Sequence, residues 1–318
     1  MTKLAVIDGD VAAIAADAGI RLIGSFTCYS DHDPASRVPG GTRPVGADGV
    51  PLSAMEWYRG IVPGDPAFDD RLAEELSRQI RDAPTDLVFL DFARWPGHWE
   101  LESRHGGSPR RASFDPGTLT RFRTYLAERG LDGAGIDPSD AAASAQVIAE
   151  RLADPWTAFR AMTITAVVTR LATILREAGT ATGMFLVPVD HERRRRDYGQ
   201  DVDELATAVD GFAVMTYQAM TGLDAESSIH LAEETSLRAR RPVIAMLQTT
   251  SDRRLSGGHD WGPPRSPDQV AADGDALDTA VRAGRLAGLC LFPGEAPMPS
   301  FDPNLSTNPV TRLEGPIR

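Results

Sequence analysis

Cysteine is scarce in this chain of 318 residues: Cys28 and Cys290 are the only two. Without a Cys-x-x-Cys pair, a disulfide framework and a thiolate zinc site are both excluded. Each cysteine lies within an apolar run and reads as a buried free thiol. Lysine is rarer still, with Lys3 alone, so basic charge comes from arginine. With Ala, Arg, Asp and Gly abundant, this usage suggests a high-GC bacterial coding sequence. An excess of basic charge is also missing. Lys and Arg total 33 against 45 Asp and Glu, a net charge of −12. That argues against nucleic acid or an anionic membrane surface as the main partner.

No stretch approaches 18 consecutive apolar residues, so no membrane-spanning helix is expected. Met1–Gly9 has neither the apolar core nor the cleavage pattern of a signal peptide, and the chain reads as cytoplasmic. No Gly-rich dinucleotide or phosphate fingerprint follows any apolar run, and His-Glu-x-x-His and Gly-x-Ser-x-Gly do not occur. No cofactor, no metal and no serine nucleophile are therefore expected. Repeats and low-complexity segments are absent.

What is present is an ordinary globular composition, 42% hydrophobic and 25% charged, in which short apolar runs alternate with longer helical patterns. Eight runs read as strands: Leu4–Ile7, Ile20–Tyr29, Trp57–Val62, Asp86–Trp95, Thr182–Val189, Gly211–Tyr217, Arg241–Gln248 and Leu286–Phe292. The first and third are the weakest. Helical periodicity fills Pro66–Asp82, Asp115–Arg129, Asp140–Leu152, Pro155–Ala178, Asp201–Ala208, Ala225–Arg238 and Pro267–Ala283. The pattern predicts an α/β fold, a single (β/α)₈ TIM barrel over residues 1–318 with long βα loops and an irregular tail at 302–318. A doubly wound open sheet is the main rival.

In a parallel barrel the chemistry sits just past the C-terminal end of each strand. Tyr29 follows the second run. Asp91, Arg94, Trp95, His98, Trp99 and Glu100 end or follow the fourth, Asp190 and His191 the fifth, and Tyr217 and Gln218 the sixth. Gln248 ends the seventh and Glu295 follows the eighth. Four of the five tryptophans, Trp57, Trp95, Trp99 and Trp261, lie in or beside these loops. Aromatic faces beside carboxylates, amides and imidazoles suit a sugar, whose ring stacks on tryptophan while its hydroxyls bond the polar groups. Asp91 interrupts an otherwise apolar strand, where a carboxylate is costly unless paired or solvated. It either pairs with Arg94 to finish the strand or serves the chemistry, with Arg94 orienting it. Asp190, at the corresponding point on the next strand, is its candidate partner, with Glu100 and Glu295 as alternates. Such a pair is what glycoside hydrolysis requires.

The segment Asp86–Glu100 (DLVFLDFARWPGHWE) resembles the most distinctive block of a family of bacterial glycoside-hydrolase-like (β/α)₈ barrels, most of whose members are assigned by similarity. Asp48–Pro51 with Trp57–Pro63, Tyr198–Asp201 (YGQD) and Asp210–Gln218 (DGFAVMTYQ) match further pieces in order. The resemblance implies a TIM barrel acting on carbohydrate, or derived from one that does, with Asp91, Arg94 and Tyr217 carried over. Relatives carry cysteines after the aspartate block, where this chain reads Ser113-Phe114-Asp115.

Three functions compete. The first is glycoside hydrolysis by Asp91 with Asp190 or Glu100 on a carbohydrate or glycosylated small molecule. The second is lyase, isomerase or sugar-tailoring chemistry on the same barrel. The third is a non-catalytic carbohydrate-binding barrel. Two carboxylates across one cleft favour the first, one carboxylate ringed by His, Arg and Tyr the second, and an occluded mouth the third.

Overall fold

An apolar strand followed by an amphipathic helix has one stable use, in which the strand is covered on both faces and the helix supplies one cover. The computed structural model describes residues 22–31, 38–54, 58–102, 110–254 and 260–292, together with Asp17 and Gly19. Within them β1 (Ile23–Thr27) leads through a long loop to α1 (Pro66–Asp82) and β2 (Leu87–Asp91). Next come α2 (Trp99–Glu102), α3 (Pro116–Glu128), α4 (Ala141–Arg151) and α5 (Ala153–Glu177), and then β3 (Ala181–Leu186). α6 (His191–Arg193) runs into a π turn at Arg194–Tyr198, followed by α7 (Val202–Leu205), β4 (Gly211–Val214) and α8 (Gln218–Thr221). α9 (Ala225–Ala239), β5 (Val243–Gln248), α10 (Pro267–Arg282) and β6 (Gly288–Phe292) complete the described chain.

The six strands form one parallel sheet in the order β1-β2-β3-β4-β5-β6. A sheet that adds each strand beside the last winds in one direction, as a barrel does. A doubly wound sheet reverses its order partway. The architecture is therefore a curled parallel half-barrel among the described residues. Of the two weak strands, Leu4–Ile7 lies outside the described residues, as do Glu295 and the tail at 302–318. Trp57–Val62 is corrected. Its described part does not join the parallel sheet but runs antiparallel beside the extension of β1, through the Ser30–Gly60 bridge and the bond from Ile61 N to Tyr29 O. The reason is geometric: β1 and β2 already pair directly, Ile23 with Leu87 through Thr27 with Asp91, and leave no slot between them.

Much of the acidic excess has a local purpose. Asp65, Asp115, Asp140, Asp190, Asp201 and Asp224 each accept a backbone N–H at a helix N-terminus, where an anion also meets the positive end of the helix dipole. α5 is long and apolar enough by length and composition to cross a membrane. Its buried residues, Phe159, Ile164, Val168, Leu171 and Leu175 among them, belong to the cluster between the helices and the sheet.

One buried carboxylate in that layer is set apart. Asp69, in the first turn of α1, accepts the Tyr29 hydroxyl at 2.7 Å, and burial raises its pKa from 3.8 to about 6. The folded chain thus holds this proton more tightly than the unfolded chain. The resulting stabilisation is complete below about pH 3.8 and is lost as pH rises through about 6. Asp69→Asn removes that dependence. Urea denaturation should show the variant gaining on the parent by up to about 3 kcal/mol between pH 4 and 7; parallel pH profiles would refute this.

Candidate active site

Alternation along the strands divides the buried side chains into two clusters. Val88, Leu90, Met184, Leu186, Phe212, Val214, Val243 and Leu247 face the helices. Ile23, Leu87, Phe89, Phe185, Ala213, Ile244, Met246 and Cys290 face the concave side. By the same parity Asp91, the last residue of β2, belongs to the concave face above Leu87 and Phe89. Large residues there sit against small ones. A Cβ at Gly183 would lie 2.6 Å from the Phe89 ring, so β3 needs glycine at that level.

β2 ends abruptly. Phe92 adopts a left-handed φ of 52°, costly for an aromatic residue and the kind of strain that clusters at functional sites. Its N–H bonds the Asp91 Oδ1 at 2.9 Å, and its carbonyl accepts Arg94 N at 2.8 Å. The flip breaks the alternation. Trp95, expected in the mouth, turns into the helix layer, where it is fully buried among Trp156 and Phe159 and donates to the Arg160 carbonyl at 3.0 Å. Gly199 permits this, since any Cβ would stand 2.6 Å from the Trp95 ring.

Arg94 does not pair with Asp91 within 4 Å. Its buried guanidinium lies over the rings of Tyr58, Phe92 and Tyr198 at 5.3, 5.3 and 5.7 Å and donates to the Gly97 carbonyl. The chain then crosses the rim as α2 and touches α8. This stacks Trp99 on Tyr217 at 5.8 Å, Tyr217 on Phe292 at 4.5 Å, and Phe292 against Trp261 at 5.0 Å, a continuous aromatic row. α2 also buries Glu100, whose Oε2 lies 3.2 Å from His98 Nδ1. His98 packs edge-on against Tyr58 at 5.6 Å.

Tyr217 reports what surrounds it. Burial raises its pKa most, and Asp91, Cys290 and Glu100 push it further. Its hydroxyl therefore keeps its proton. Asp91 likewise adds to the raised pKa of Cys28, after burial. Asp91, Glu100, His98, Trp99 and Tyr217, all predicted from the sequence, are thus gathered at one rim. Asp91 itself is only 2% exposed.

Asp190 is not brought there. Continuing the register from Leu90 and Met184, the β3 residue level with Asp91 is Phe185. Asp190 comes later in the chain, is exposed, and caps α6 by accepting Arg193 N at 2.9 Å. The groups that feel its charge are Arg194 and Arg196. His191, the first residue of α6, is buried near Asp201 and Asp203, with donor atoms of all three within 4.8 Å. Both carboxylates are tied to arginines at 2.7 Å, Asp201 to Arg195 and Asp203 to Arg238, which leaves little for a metal. Tyr29 points to the helix layer and Asp69.

Sequence reasoning missed Tyr198 and Phe292 as site residues. Tyr198 is fully buried on the concave side and carries Arg94 on its ring. The Tyr198–Asp201 motif held the signal. In it Gly199 admits Trp95, Gln200 joins Val187 N to Phe185 O, and Asp201 caps α7.

Gln218 and Gln248, expected to bind substrate, are taken up by the backbone. Gln248 Oε1 accepts Ala219 N and Met220 N at 3.0 and 3.1 Å, and its Nε2 donates to the carbonyls of Thr250 and Trp261 at 3.0 and 2.8 Å. Gln218 accepts Gln248 N at 2.8 Å and donates to Met246 O at 3.1 Å. Together they lock α8 and the Trp261 loop to the end of β5. Gln248→Leu strands these partners, so denaturation should show a loss of about 2–4 kcal/mol. A change below about 0.5 kcal/mol would leave the amide free for a ligand.

No family model matches the chain, and neither does any curated protein. Solved structures do. The glycoside hydrolase domain of PgaB (BpsB) from Bordetella bronchiseptica is similar at 17% identity and a TM-score of 0.57, over 89% of this chain and 74% of that one. The polyextremophilic β-galactosidase of the Antarctic haloarchaeon Halorubrum lacusprofundi is similar at 11% identity and a TM-score of 0.58, over 89% of this chain and 44% of that one. At these identities the likeness is one of fold, a barrel-like parallel α/β architecture.

Proposed function

We propose that the chain is a carbohydrate-active enzyme that cleaves a glycosidic bond, with Asp91 and Glu100 as its two carboxylates. The observation that carries this reading is their convergence. Asp91 ends β2 at the C-terminal rim of the sheet, Glu100 sits on α2 next to Trp99, which stacks on Tyr217, and the charges of both add to the raised pKa of Tyr217, after burial. Glu100 gives its proton to the departing glycosidic oxygen as Asp91 either bonds the anomeric carbon or takes a proton from the water that does. In the first case a water then displaces Asp91 and returns its proton to Glu100; in the second Asp91 releases its proton to solvent and Glu100 regains one from it. His98, beside Glu100, orients that carboxyl. The hydroxyl of Tyr217 donates to whichever oxygen carries negative charge, and the Trp99–Trp261 row offers the apolar surface on which a sugar ring stacks.

Asp91 is almost fully buried, at 2% exposure, so substrate reaches it only when the elements over it shift. Closure over bound sugar then excludes water from the pair. The same cover favours a second reading, a barrel that binds saccharide without cutting it. The two separate on a panel of aryl and natural glycosides. Asp91→Asn should lower turnover by at least about 10³-fold with the melting temperature nearly unchanged. Glu100→Gln should cost about 10²–10⁴-fold on substrates with poor leaving groups and far less on activated aryl glycosides, which need no proton. Binding without turnover across the panel would establish the second reading instead. A large stability loss in Asp91→Asn with activity intact per folded molecule would remove Asp91 from the chemistry.

A further inference from the structure

The loops after β1 and β2 enclose a cavity of about 270 Å³ beside α2, walled by Tyr58, His98, Glu102 and three arginines, Arg43, Arg59 and Arg110. In a chain of net charge −12, this concentration of guanidinium groups stands out. Two of the three have counter-ions. Arg43 is held by both carboxylate oxygens of Asp31, and Arg110 lies 2.9 Å from Glu102. Arg59 is exposed and has no ion pair among the described residues. A fourth guanidinium stands behind the Tyr58 wall. Arg94 is buried at 2% exposure with no ion pair among the described residues, and its Nε and Nη2 meet no acceptor. A buried cation without a partner anion is costly, and a site that keeps one recovers the cost when an anion arrives.

The cavity is built rather than incidental. A Cβ at Gly60 would lie 2.9 Å from both Pro96 and the Tyr58 hydroxyl, so only glycine lets the two loops meet here. The Arg59 carbonyl accepts Asp31 N at 3.1 Å, which fixes the backbone that carries the free guanidinium. Glu102 accepts His98 N at 2.8 Å, anchoring the opposite wall. The volume falls just below the about 300 Å³ at which sites for drug-sized ligands begin, and suits a single sugar unit. The cavity also adjoins the proposed chemistry, because His98 lines it and places Nδ1 3.2 Å from Glu100 Oε2.

We infer that this cavity binds the anionic substituent of a saccharide, a carboxylate or a phosphate ester, and that the substrate class is acidic sugars. The inference rests on the reading of the rim as a carbohydrate site. Arg59 supplies the exposed charge that captures the anion, and Arg94 supplies the long-range attraction through the Tyr58 ring. The unit so held presents its glycosidic oxygen toward Glu100.

Calorimetric titration of the full chain tests this with three probes: a trisaccharide ending in glucuronic acid, the matching trisaccharide ending in glucose, and glucose 6-phosphate. At least one anionic probe should bind about tenfold more tightly than the neutral one. The preference should fade as salt rises from about 0.05 to about 0.5 M and should vanish in Arg59→Gln, whose exposed side chain leaves the fold intact. Whether the carboxylate or the phosphate probe binds better identifies the source of the charge. Equal affinity for neutral and anionic probes, or an anionic preference that survives Arg59→Gln, overturns the inference. Anion-selective, Arg59-dependent binding in a chain that cleaves nothing would sustain the cavity and refute the hydrolase. Cleavage of neutral glycosides with no preference for acidic ones would do the reverse.

Discussion

A strand covered on both faces has no place for a charge except its end. All five residues of β2 are buried, and its only polar side chain is the last one. There the concave face runs out of apolar neighbours and opens onto the rim. The left-handed turn at Phe92 follows from that placement. It stops the strand at the carboxylate, bonds one of its oxygens, and sends the next segment sideways instead of onward. Everything proposed for the site descends from this arrest. Trp95 is thrown into the helix layer, Arg94 into an aromatic cage, and α2 to the rim, where Trp99 stacks on Tyr217.

The placement of α2 and the arginine-lined cavity are two consequences of one chain path. After β2 the chain first borders the cavity, through Pro96, Gly97 and His98, and then forms α2, which carries Trp99 and Glu100. His98 belongs to both regions. On the proposed reading, an occupant of the cavity touches the segment that leads into α2, and ligand capture and the placing of Glu100 share His98. In such an arrangement binding energy at a non-reacting group is spent on closing the reacting one.

The sequence made the six strands of the sheet and the carboxylate at the end of β2 legible because both rest on local physics. Continuous apolar runs mark strands buried on both faces, and a single Asp at the end of such a run is conspicuous. It did not make legible anything that depends on how strands are levelled against each other. Asp190 looked equivalent to Asp91 by its place after an apolar run, yet the register sets Phe185 at that level and leaves Asp190 to cap a helix. Trp95 pointed inward by parity until the φ reversal at Phe92. Gln218 and Gln248 were recognised as polar tips at strand ends, but no local pattern reveals that their partners are backbone groups of α8 and the Trp261 loop. Trp57–Val62 had the composition of a strand and lost its slot to the direct pairing of β1 with β2.

The central claim is that Asp91 and Glu100 face one glycosidic bond at this rim. It is tested most directly by a crystal structure of the Asp91→Asn variant with an intact saccharide bound. The account predicts a sugar stacked along the Trp99–Trp261 row, its anomeric carbon facing residue 91, and its glycosidic oxygen within hydrogen-bond reach of Glu100. A saccharide bound elsewhere, or one that leaves residue 91 buried out of its reach, would contradict it.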